Sequence, residues 1–284
     1  MPTIGWIGLG NMGIPMSKRL IQEGLQVTVY NRDITKTTEL VSLGAAQEKS
    51  IAKLVDAVDV VVVMVSDDQA ITEIFQGNDG ILSSSGGGKV IINMSTVSPG
   101  ISKEMAIFCR ERGNVYLDAP VSGSVRQAED GQLVIMVGGD KATFERVEPL
   151  LAILGKLSLL VGDTGAGNIA KLAINNLLAI HAQGLAETMI FAEKCGILNA
   201  DLTTLIANSA IGNVFMKIKG EAIMQHNYKA VFAVKHIAKD LRLAKAEGLA
   251  SPLADTVYQS FQAAEETIGN EDIIAIVKQL QLNY

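Results

Sequence analysis

The first part of the chain alternates two patterns of apolar residues. Short runs of β-branched and other apolar residues are separated by stretches in which apolar residues recur every three or four positions. This alternation is typical of βαβ units, in which helices cover both faces of a parallel sheet. The predicted strands are 3–7, 27–30, 58–65, 89–93, 115–118, 133–137 and 157–161. The first part is therefore expected to form a doubly wound parallel sheet.

The pattern changes after residue 162. A helical pattern without proline covers 167–195, and further helical segments are predicted at 201–208, 214–225, 234–247, 253–267 and 271–280. The glycine-rich segment 162–165 precedes the long helix and is the expected boundary. We therefore expect an α/β Rossmann-type domain at residues 1–163. An all-α domain should follow at residues 164–284, joined to the first by a long interdomain helix.

A glycine motif follows the first predicted strand at once. It reads Gly8-Leu9-Gly10-Asn11-Met12-Gly13, which is a G-x-G-x-x-G sequence between a strand and a helix. Glycines at this spacing permit a tight turn, a close backbone approach to a pyrophosphate, and close helix–strand packing. The amino terminus of the helix also offers free N–H groups to phosphates. A bare motif is weak evidence, but this one stands in the βαβ context that dinucleotide binding requires.

The end of the second predicted strand bears on which dinucleotide is bound. NAD-binding versions usually carry Asp or Glu here, which accepts hydrogen bonds from the ribose hydroxyls. This strand ends in Asn31-Arg32, and Lys36 follows closely. Arg32 can pair with a 2′-phosphate, and the uncharged Asn31 does not repel one. Asp33 favours NAD by its spacing, but we expect it to point away, so NADP(H) is predicted and NAD(H) stays possible.

Lys171 and Asn175 are the candidate catalytic residues. They are four residues apart in the long predicted helix, so they share one helix face. The neighbouring residues are apolar, which predicts that this face is buried. A buried lysine has a lowered pKa and can act as a general acid and base, although a lysine reaching solvent from a helix end is the common alternative.

Two segments of small and polar residues follow predicted strands, at the sheet edge where ligands bind in such folds. Residues 118–124 form a predicted loop containing Ser122 and Gly123, which could present a hydroxyl and backbone N–H groups to a carboxylate. Residues 93–96 end in Thr96 and could line a nicotinamide. Farther along, Lys235 and Lys239 have the spacing of a solvent-exposed helix face.

Composition excludes several classes of protein. The chain has 284 residues and a net charge of −6, which argues against nucleic acid and anionic membranes as partners. Its apolar runs are too short to span a bilayer. The three histidines lack metal-ligand spacing, so no metal site is predicted. Two distant cysteines and the lack of a targeting pattern near the amino terminus predict a soluble, cytoplasmic protein.

Together these motifs resemble the β-hydroxyacid dehydrogenase family, which includes 3-hydroxyisobutyrate dehydrogenase and the glyoxylate/succinic semialdehyde reductases. The resemblance runs along the whole chain. The motifs that carry it are Gly8 through Met16, Pro120-Val121-Ser122-Gly123, Ala128-Glu129-Asp130-Gly131, Gly165 through Lys171 with Asn175, and Lys239-Asp240-Leu241.

The resemblance implies roles for individual residues. Lys171 would be the acid and base, and Ser122, Gly123 and Asn175 would hold a small carboxylate-bearing substrate. Apart from the resemblance, Phe232 is a candidate substrate contact on which specificity would depend. Cofactor contacts are implied for Met64, Val65, Thr96 and Lys239. Asn31-Arg32 in place of the family's usual Asp resembles the NADP-using semialdehyde reductases. The implied reaction interconverts a small hydroxy acid and its semialdehyde or keto acid.

Several alternatives stay open at this point. One is an NAD-dependent 3-hydroxyisobutyrate dehydrogenase. Another is an imine reductase of the same fold, which Lys171 argues against because such enzymes usually lack that lysine. A third is a non-catalytic dinucleotide-binding module; a non-catalytic relative in the family has lost the catalytic lysine, whereas Lys171 and Asn175 are both present here. An apolar helical domain and the family resemblance also predict a homodimer or homotetramer.

Overall fold

The computed structural model describes residues 2–282, and the chain divides into two compact units, Met1–Lys171 and Leu172–Tyr284. The first unit contains a sheet of nine strands. The predicted boundary after residue 163 lies shortly before this division and stays a prediction. The strands are β1 (Ile4–Ile7), β2 (Val27–Tyr30), β3 (Ala46–Gln47), β4 (Val60–Val63), β5 (Val90–Asn93), β6 (Val115–Asp118), β7 (Val121–Ser122), β8 (Leu133–Gly138) and β9 (Gly155–Gly162).

The sheet is mostly parallel, as the apolar pattern predicts. Its order is β3-β2-β1-β4-β5-β6-β8-β7, with β9 paired to β8. All pairings from β3 to β6 are parallel, whereas β8 runs antiparallel to both β6 and β7. The strand order reverses between β1 and β4. In doubly wound folds, ligands bind in the crevice at this point, outside the carboxyl ends of the strands. The fold class predicted from the sequence is confirmed.

Helices cover both faces of this sheet. Val60 and Val62 of β4 pack into one apolar cluster, and Val61 and Val63 pack into the other. Because side chains alternate between the faces of a strand, a continuous valine run is buried only where both faces are covered. Burial of each such side chain contributes about 1.5–3 kcal/mol to the free energy of unfolding. The helices of this unit are α1 (Gly13–Gln22), α2 (Thr38–Ser42), α3 (Ile51–Ala57), α4 (Asp68–Gln76), α5 (Pro99–Glu111), α6 (Val125–Glu129) and α7 (Lys141–Leu154).

In its described residues the second unit consists of helices and the loops that connect them. Residues 172–282 contain no strand, and their single β-bridge joins Ala233 and Asp272. Helix α8 (Ala166–Lys194) is 29 residues long and buries a row of small side chains that includes Ala179, Ala182 and Ala186. The other helices are α9 (Asn199–Ala207), α10 (Val214–Met224), α11 (Val234–Ala246), α12 (Pro252–Ile268) and α13 (Ile276–Gln281). Within residues 2–282, none of the helices has the length and apolar character needed to cross a membrane.

The buried thiol of Cys109 should make stability depend on alkaline pH. Cys109 lies on the buried face of α5, and burial raises the pKa of its thiol from 9.0 to about 12. The unfolded chain therefore loses this proton at a lower pH than the folded chain does. The free energy of unfolding should fall above pH 9, by about 1 kcal/mol at pH 10 from this group. Urea unfolding at pH 8 and pH 10 measures this fall.

The Cys109→Ala variant should lose less stability between these two pH values than the unmodified chain does. Cys195→Ala is the matched control, because Cys195 is exposed and its replacement should leave the pH dependence unchanged. Equal losses in all three proteins would show that the Cys109 thiol does not contribute.

Candidate active site

The glycine motif forms the turn between β1 and α1. Gly8 has a φ of +101°, a backbone conformation that residues with a Cβ rarely adopt. A Cβ at Gly8 would lie 2.2 Å from the carbonyl oxygen of Met64, and one at Gly13 would lie 2.1 Å from that of Gly8. A Cβ built at Gly10 meets no protein atom within 4 Å. The three glycines thus permit a tight turn, close packing and an open backbone surface, which fits a dinucleotide pyrophosphate.

Two side chains, those of Trp6 and Asn31, form hydrogen bonds to this turn. Sequence reasoning identified Asn31 but missed Trp6. The buried indole of Trp6 donates a hydrogen bond from Nε1 to the carbonyl oxygen of Gly8, at 3.0 Å. Asn31 Oδ1 accepts the N–H of Leu9 at 2.9 Å, and its Nδ2 donates to the carbonyl oxygen of Asp33 at 2.8 Å. The carboxamide of Asn31 therefore uses both its acceptor and its donor within the turn region.

The residues after β2 differ sharply in what they contact. Asp33 accepts the N–H of Thr35 at 3.1 Å and its hydroxyl at 2.7 Å, and these bonds hold the pKa of the Asp33 carboxyl below its usual value. Arg32 is almost fully exposed, with 93% of its side chain accessible and Glu73 3.9 Å away. Lys36 is also exposed. Asp33 is thus engaged locally, while two cationic side chains face solvent near the end of β2.

The ends of β4 and β5 lie beside the glycine turn. Met64 and Val65 follow β4, and a Cβ at Gly8 would also come within 3.0 Å of Val65 Cγ1. The N–H of Val65 donates to Ser95 Oγ at 2.9 Å, a cross-strand contact that the sequence does not indicate. Thr96 is half-buried next to Ser95. The structure therefore brings Met64 and Val65 to the turn, and Thr96 directly follows the residue that holds Val65.

Ser122 and Gly123 follow β6 in the segment predicted as a loop. This prediction was incomplete, because Val121 and Ser122 form the short strand β7, paired with Ile135 and Val134 of β8. Pairing of two residues with a distant strand leaves no periodic signal in the sequence. Gly123 then has a φ of +148°, and Gln127 Oε1 accepts the N–H of Ser124 at 2.6 Å.

Lys171 lies in the second turn of α8. Lys171 is only 9% exposed, in agreement with the burial predicted from its apolar neighbours. Helix α8 begins against the end of β6, where the fully buried carboxylate of Asp118 accepts N–H groups from Gly165 and Asn168. Burial raises the pKa of the Asp118 carboxyl, and these two N–H groups oppose that change.

In the second unit, Asn175 and Lys239 both contact the carboxylate of Asp240. Asn175 is 1% exposed, and its Nδ2 donates to Asp240 Oδ2 at 2.5 Å. Lys239 Nζ lies 2.9 Å from Asp240 Oδ1, and the side chain of Lys239 is 20% exposed. The solvent-exposed face indicated by the spacing of Lys235 and Lys239 was therefore wrong for Lys239. Asp240 was missed as a site residue, although the Lys239-Asp240-Leu241 motif contained it.

Phe232 lies just before α11 in the second unit. Its ring stacks on that of His236 with centroids 6.2 Å apart and an interplanar angle of 23°. Burial, followed by the charges of Lys235 and Lys239, lowers the pKa of His236, so its imidazole stays neutral near pH 7. Among residues 2–282, no three His, Cys, Asp or Glu side chains lie close enough together to hold a metal ion.

Comparison with known proteins matches almost the whole chain. The family model described as the NAD binding domain of 6-phosphogluconate dehydrogenase matches residues 3–165. The one described as NAD-binding of NADP-dependent 3-hydroxyisobutyrate dehydrogenase matches residues 165–280. The two matches meet at residue 165, directly before α8. The chain is thus an NAD(P)-binding oxidoreductase of the dehydrogenase type.

Individual relatives match over their full length. Glyoxylate/succinic semialdehyde reductase 1 of Arabidopsis thaliana is 33% identical, with 99% of each chain covered. The 2-hydroxy-3-oxopropionate reductase of Escherichia coli (strain K12) is 35% identical, with 98% of this chain and 97% of the relative covered. A solved structure of Mycobacterium tuberculosis 3-hydroxyisobutyrate dehydrogenase with L-serine has a TM-score of 0.90 at 28% identity, and 99% of each chain is covered. The chain therefore belongs to the β-hydroxyacid dehydrogenase family, as its sequence motifs predict.

Proposed function

We propose that this protein is an NADP(H)-dependent oxidoreductase that interconverts a small hydroxy acid and its semialdehyde or keto acid. The observation that carries the proposal is the buried Lys171 near the start of α8, in a chain that belongs to a hydroxyacid dehydrogenase family. Desolvation of a lysine is costly, so a buried lysine at the position of this family motif favours a catalytic role over a non-catalytic dinucleotide-binding module. The substrates named for the relatives above support the same class of reaction for this chain.

The preference for NADP(H) rests on the residues after β2. Asn31 is held by Leu9 and by the carbonyl oxygen of Asp33. Asp33 is occupied by Thr35, so it is poorly placed to accept hydrogen bonds from a ribose. Arg32 and Lys36 are exposed cations in the same segment, and guanidinium groups form strong charge-assisted hydrogen bonds to phosphate. These features favour a 2′-phosphate over a free 2′-hydroxyl.

The glycine turn provides a matched pair of variants that tests cofactor binding. Gly13→Ala should destabilise the fold by about 1–3 kcal/mol, because its Cβ would meet the backbone of Gly8. Gly10→Ala should fold like the unmodified chain, because its Cβ meets no protein atom within 4 Å. The Kd of Gly10→Ala for NADPH should still rise about tenfold, since the added methyl group prevents close approach of the pyrophosphate. Thermal unfolding and fluorescence titration measure the two effects. Normal NADPH binding by Gly10→Ala would contradict this role.

The proposed mechanism divides the work between cofactor and protein. The bound nicotinamide supplies or accepts a hydride. Lys171 as an ammonium donates a proton to the oxygen of the carbonyl that is being reduced, and it takes the proton back during oxidation. Ser122 and Gly123 hold the substrate carboxylate through the hydroxyl and backbone N–H groups.

Other residues of the chain orient the reactants. Asn175 orients the substrate with an amide that Asp240 holds in one rotamer. Phe232 contributes an apolar wall on the substrate side. Contacts with the cofactor are proposed for the glycine turn and for Met64, Val65, Thr96 and Lys239.

Initial rates with a panel of small acids test the proposed function. Glyoxylate, succinic semialdehyde, methylmalonate semialdehyde and tartronate semialdehyde are each assayed with NADPH and with NADH. NADPH-dependent turnover of at least one acid is the expected result, and the ratio of kcat/KM values ranks the substrates. Turnover with NADH alone would indicate an NAD-dependent 3-hydroxyisobutyrate dehydrogenase. NADPH binding without turnover of any acid would contradict the proposal and favour an imine reductase or a non-catalytic module.

We also propose that the protein forms a homodimer or homotetramer in the cytoplasm. The second unit exposes large apolar side chains, among them Phe191, Leu198 and Leu205, each at least 65% accessible in the single chain. Large apolar side chains that are exposed in a single chain commonly pack at an interface between subunits. Light scattering coupled to size-exclusion chromatography measures the mass in solution, and a mass near 30.2 kDa would contradict assembly.

A further inference from the structure

We propose that Asp118 is a positioning residue, whose buried carboxylate anchors the start of α8 and thereby fixes the location of Lys171. This inference rests on the proposed function of Lys171 as proton donor and acceptor. Asp118 ends β6 and is fully buried. In this proposal Asp118 contacts neither the substrate nor the cofactor. It acts only through the helix that carries Lys171.

The carboxylate supplies a helix cap from a distant part of the chain. The first N–H groups of a helix have no partner within it and are usually satisfied by a side chain of the preceding residue. The residue before α8 is Gly165, which has no side chain. Asp118 Oδ1 instead accepts the N–H of Gly165 at 2.6 Å, and Oδ2 accepts the N–H of Asn168 at 2.9 Å. The positive end of the helix dipole also favours a negative charge at this point.

Asn168 fixes the same helical turn to a second element. Its Oδ1 accepts the N–H of Val97 at 3.0 Å, and its Nδ2 donates to Ser102 Oγ at 3.2 Å. All three residues are buried. The start of α8 is therefore hydrogen-bonded to the end of β6, to α5 through Ser102, and to the segment that links β5 with α5. That linking segment carries Thr96.

Two glycines permit the close approach that these bonds require. A Cβ at Gly167 would lie 2.4 Å from the carbonyl oxygen of Met136 and 2.9 Å from Asp118 Oδ2. A Cβ at Gly138 would lie 2.5 Å from Asp118 Oδ1 and 2.8 Å from the backbone nitrogen of Gly167. The first turn of α8 thus packs directly on the backbone of β8 and on the Asp118 carboxylate. This packing gives a physical reason for glycine at positions 138 and 167.

Lys171 follows Asn168 by three residues, which is less than one helical turn. A shift of the helix start therefore moves the lysine almost rigidly. A displacement of reacting groups by about 1 Å can lower a rate about 100-fold. The carboxylate resists such a shift, because a buried charge that loses its hydrogen bonds is strongly unfavourable.

The Asp118→Asn variant tests this anchor. The substitution preserves shape, but the new Nδ2 is a donor and faces an N–H group of α8, so one of the two hydrogen bonds is lost. We expect kcat for the best acid of the panel to fall about 30-fold, while the Kd for NADPH changes by less than about threefold. Amide hydrogen exchange in residues 164–175 should become faster, because the first turn of α8 is no longer held.

Asp140→Asn is the control, because it makes the same substitution at a helix cap outside the site. Asp140 is an exposed residue directly before α7 that accepts the N–H of Thr143 at 2.8 Å, and α7 carries no residue proposed for the site. Asn and Asp are about equally good N-cap residues, so this variant should keep its thermal stability and retain kcat within about twofold. The proposal is overturned if Asp118→Asn retains as much kcat as Asp140→Asn does. It is also overturned if kcat and NADPH affinity fall by the same factor, since that result would indicate general loosening of the first unit.

Two further measurements test the role of Asp118 if the Asp118→Asn variant does not fold or if the unmodified protein shows no turnover. If Asp118→Asn does not fold, Asn168→Ala removes the bonds to Val97 and Ser102 and keeps the carboxylate. It should lower kcat by a smaller factor, again without loss of NADPH binding. If no acid is turned over by the unmodified protein, the proposed function fails, but hydrogen exchange still tests the anchor. Unchanged exchange of residues 164–175 in Asp118→Asn would then overturn it.

Discussion

Replacement of Lys171 by methionine is expected to lower kcat about 10⁴-fold while the Kd for NADPH changes by less than about threefold. Methionine is an unbranched side chain of similar length, so it fills the buried space that Lys171 occupies without leaving a cavity. The variant removes both the transferable proton and the positive charge that stabilises a developing alkoxide. Stopped assays over hours measure kcat at this level, and fluorescence titration measures NADPH binding.

Lys171→Arg is the informative companion to this variant. Arginine retains the positive charge but does not give up a proton at accessible pH. If proton transfer is the main role, Lys171→Arg should be nearly as inactive as Lys171→Met. Substantial activity in Lys171→Arg would instead show that charge alone is sufficient. Equal loss of NADPH binding and turnover in both variants would contradict a catalytic role and indicate a structural one.

The sequence predicts the sheet well because its signals are local. A run such as Val60–Val63 is apolar at every position, which in a short segment indicates a strand covered on both faces. The long helix α8 is predicted for a similar reason, since no proline interrupts its apolar pattern. Strand β7 was not predicted, because its two residues are ordered by pairing with β8 and not by any pattern of their own. Antiparallel pairing of β8 is likewise a matter of topology, which periodicity does not record.

In the candidate site, too, features indicated by a local sequence pattern were predicted, and features set by the folded structure were not. The glycine turn and Lys171 were identified from motifs, in which every residue needed for the interpretation is close in sequence. The support of these residues was not identified. Asp118 and Asn168 are 50 residues apart, so no local pattern indicates their hydrogen bond. Trp6 is only two residues from Gly8, but an apolar strand pattern does not indicate that its indole N–H donates to the Gly8 carbonyl oxygen. The spacing of Lys235 and Lys239 indicated solvent exposure, whereas the side chain of Lys239 is only 20% exposed and its Nζ contacts the adjacent Asp240. Contacts between distant elements, and the directions that side chains take in the folded chain, therefore limit what one sequence can predict.

Replacement of Arg32 by alanine is expected to raise the Kd for NADPH about 50-fold while the Kd for NADH changes by less than about threefold. The ratio of these two constants is the quantity of interest, because it isolates the 2′-phosphate from the rest of the cofactor. With 93% of its side chain accessible, Arg32 gives up almost no packing when truncated, so a change in NADPH affinity reports its charge and hydrogen bonds. Lys36→Ala should act in the same direction with a smaller effect, since an ammonium group lacks the paired donors of a guanidinium.

Arg112→Ala is the matched control for this variant, because Arg112 is another exposed arginine of the first unit, at the carboxyl end of α5. It should leave both dissociation constants unchanged. Added salt provides a second control, because screening should weaken NADPH binding to the unmodified protein more than to Arg32→Ala. Tighter binding of NADH than NADPH by the unmodified protein would contradict the preference for NADP(H). In that case Asp33 would have to leave Thr35 to bind the ribose, and Asp33→Ala should then weaken NADH binding selectively.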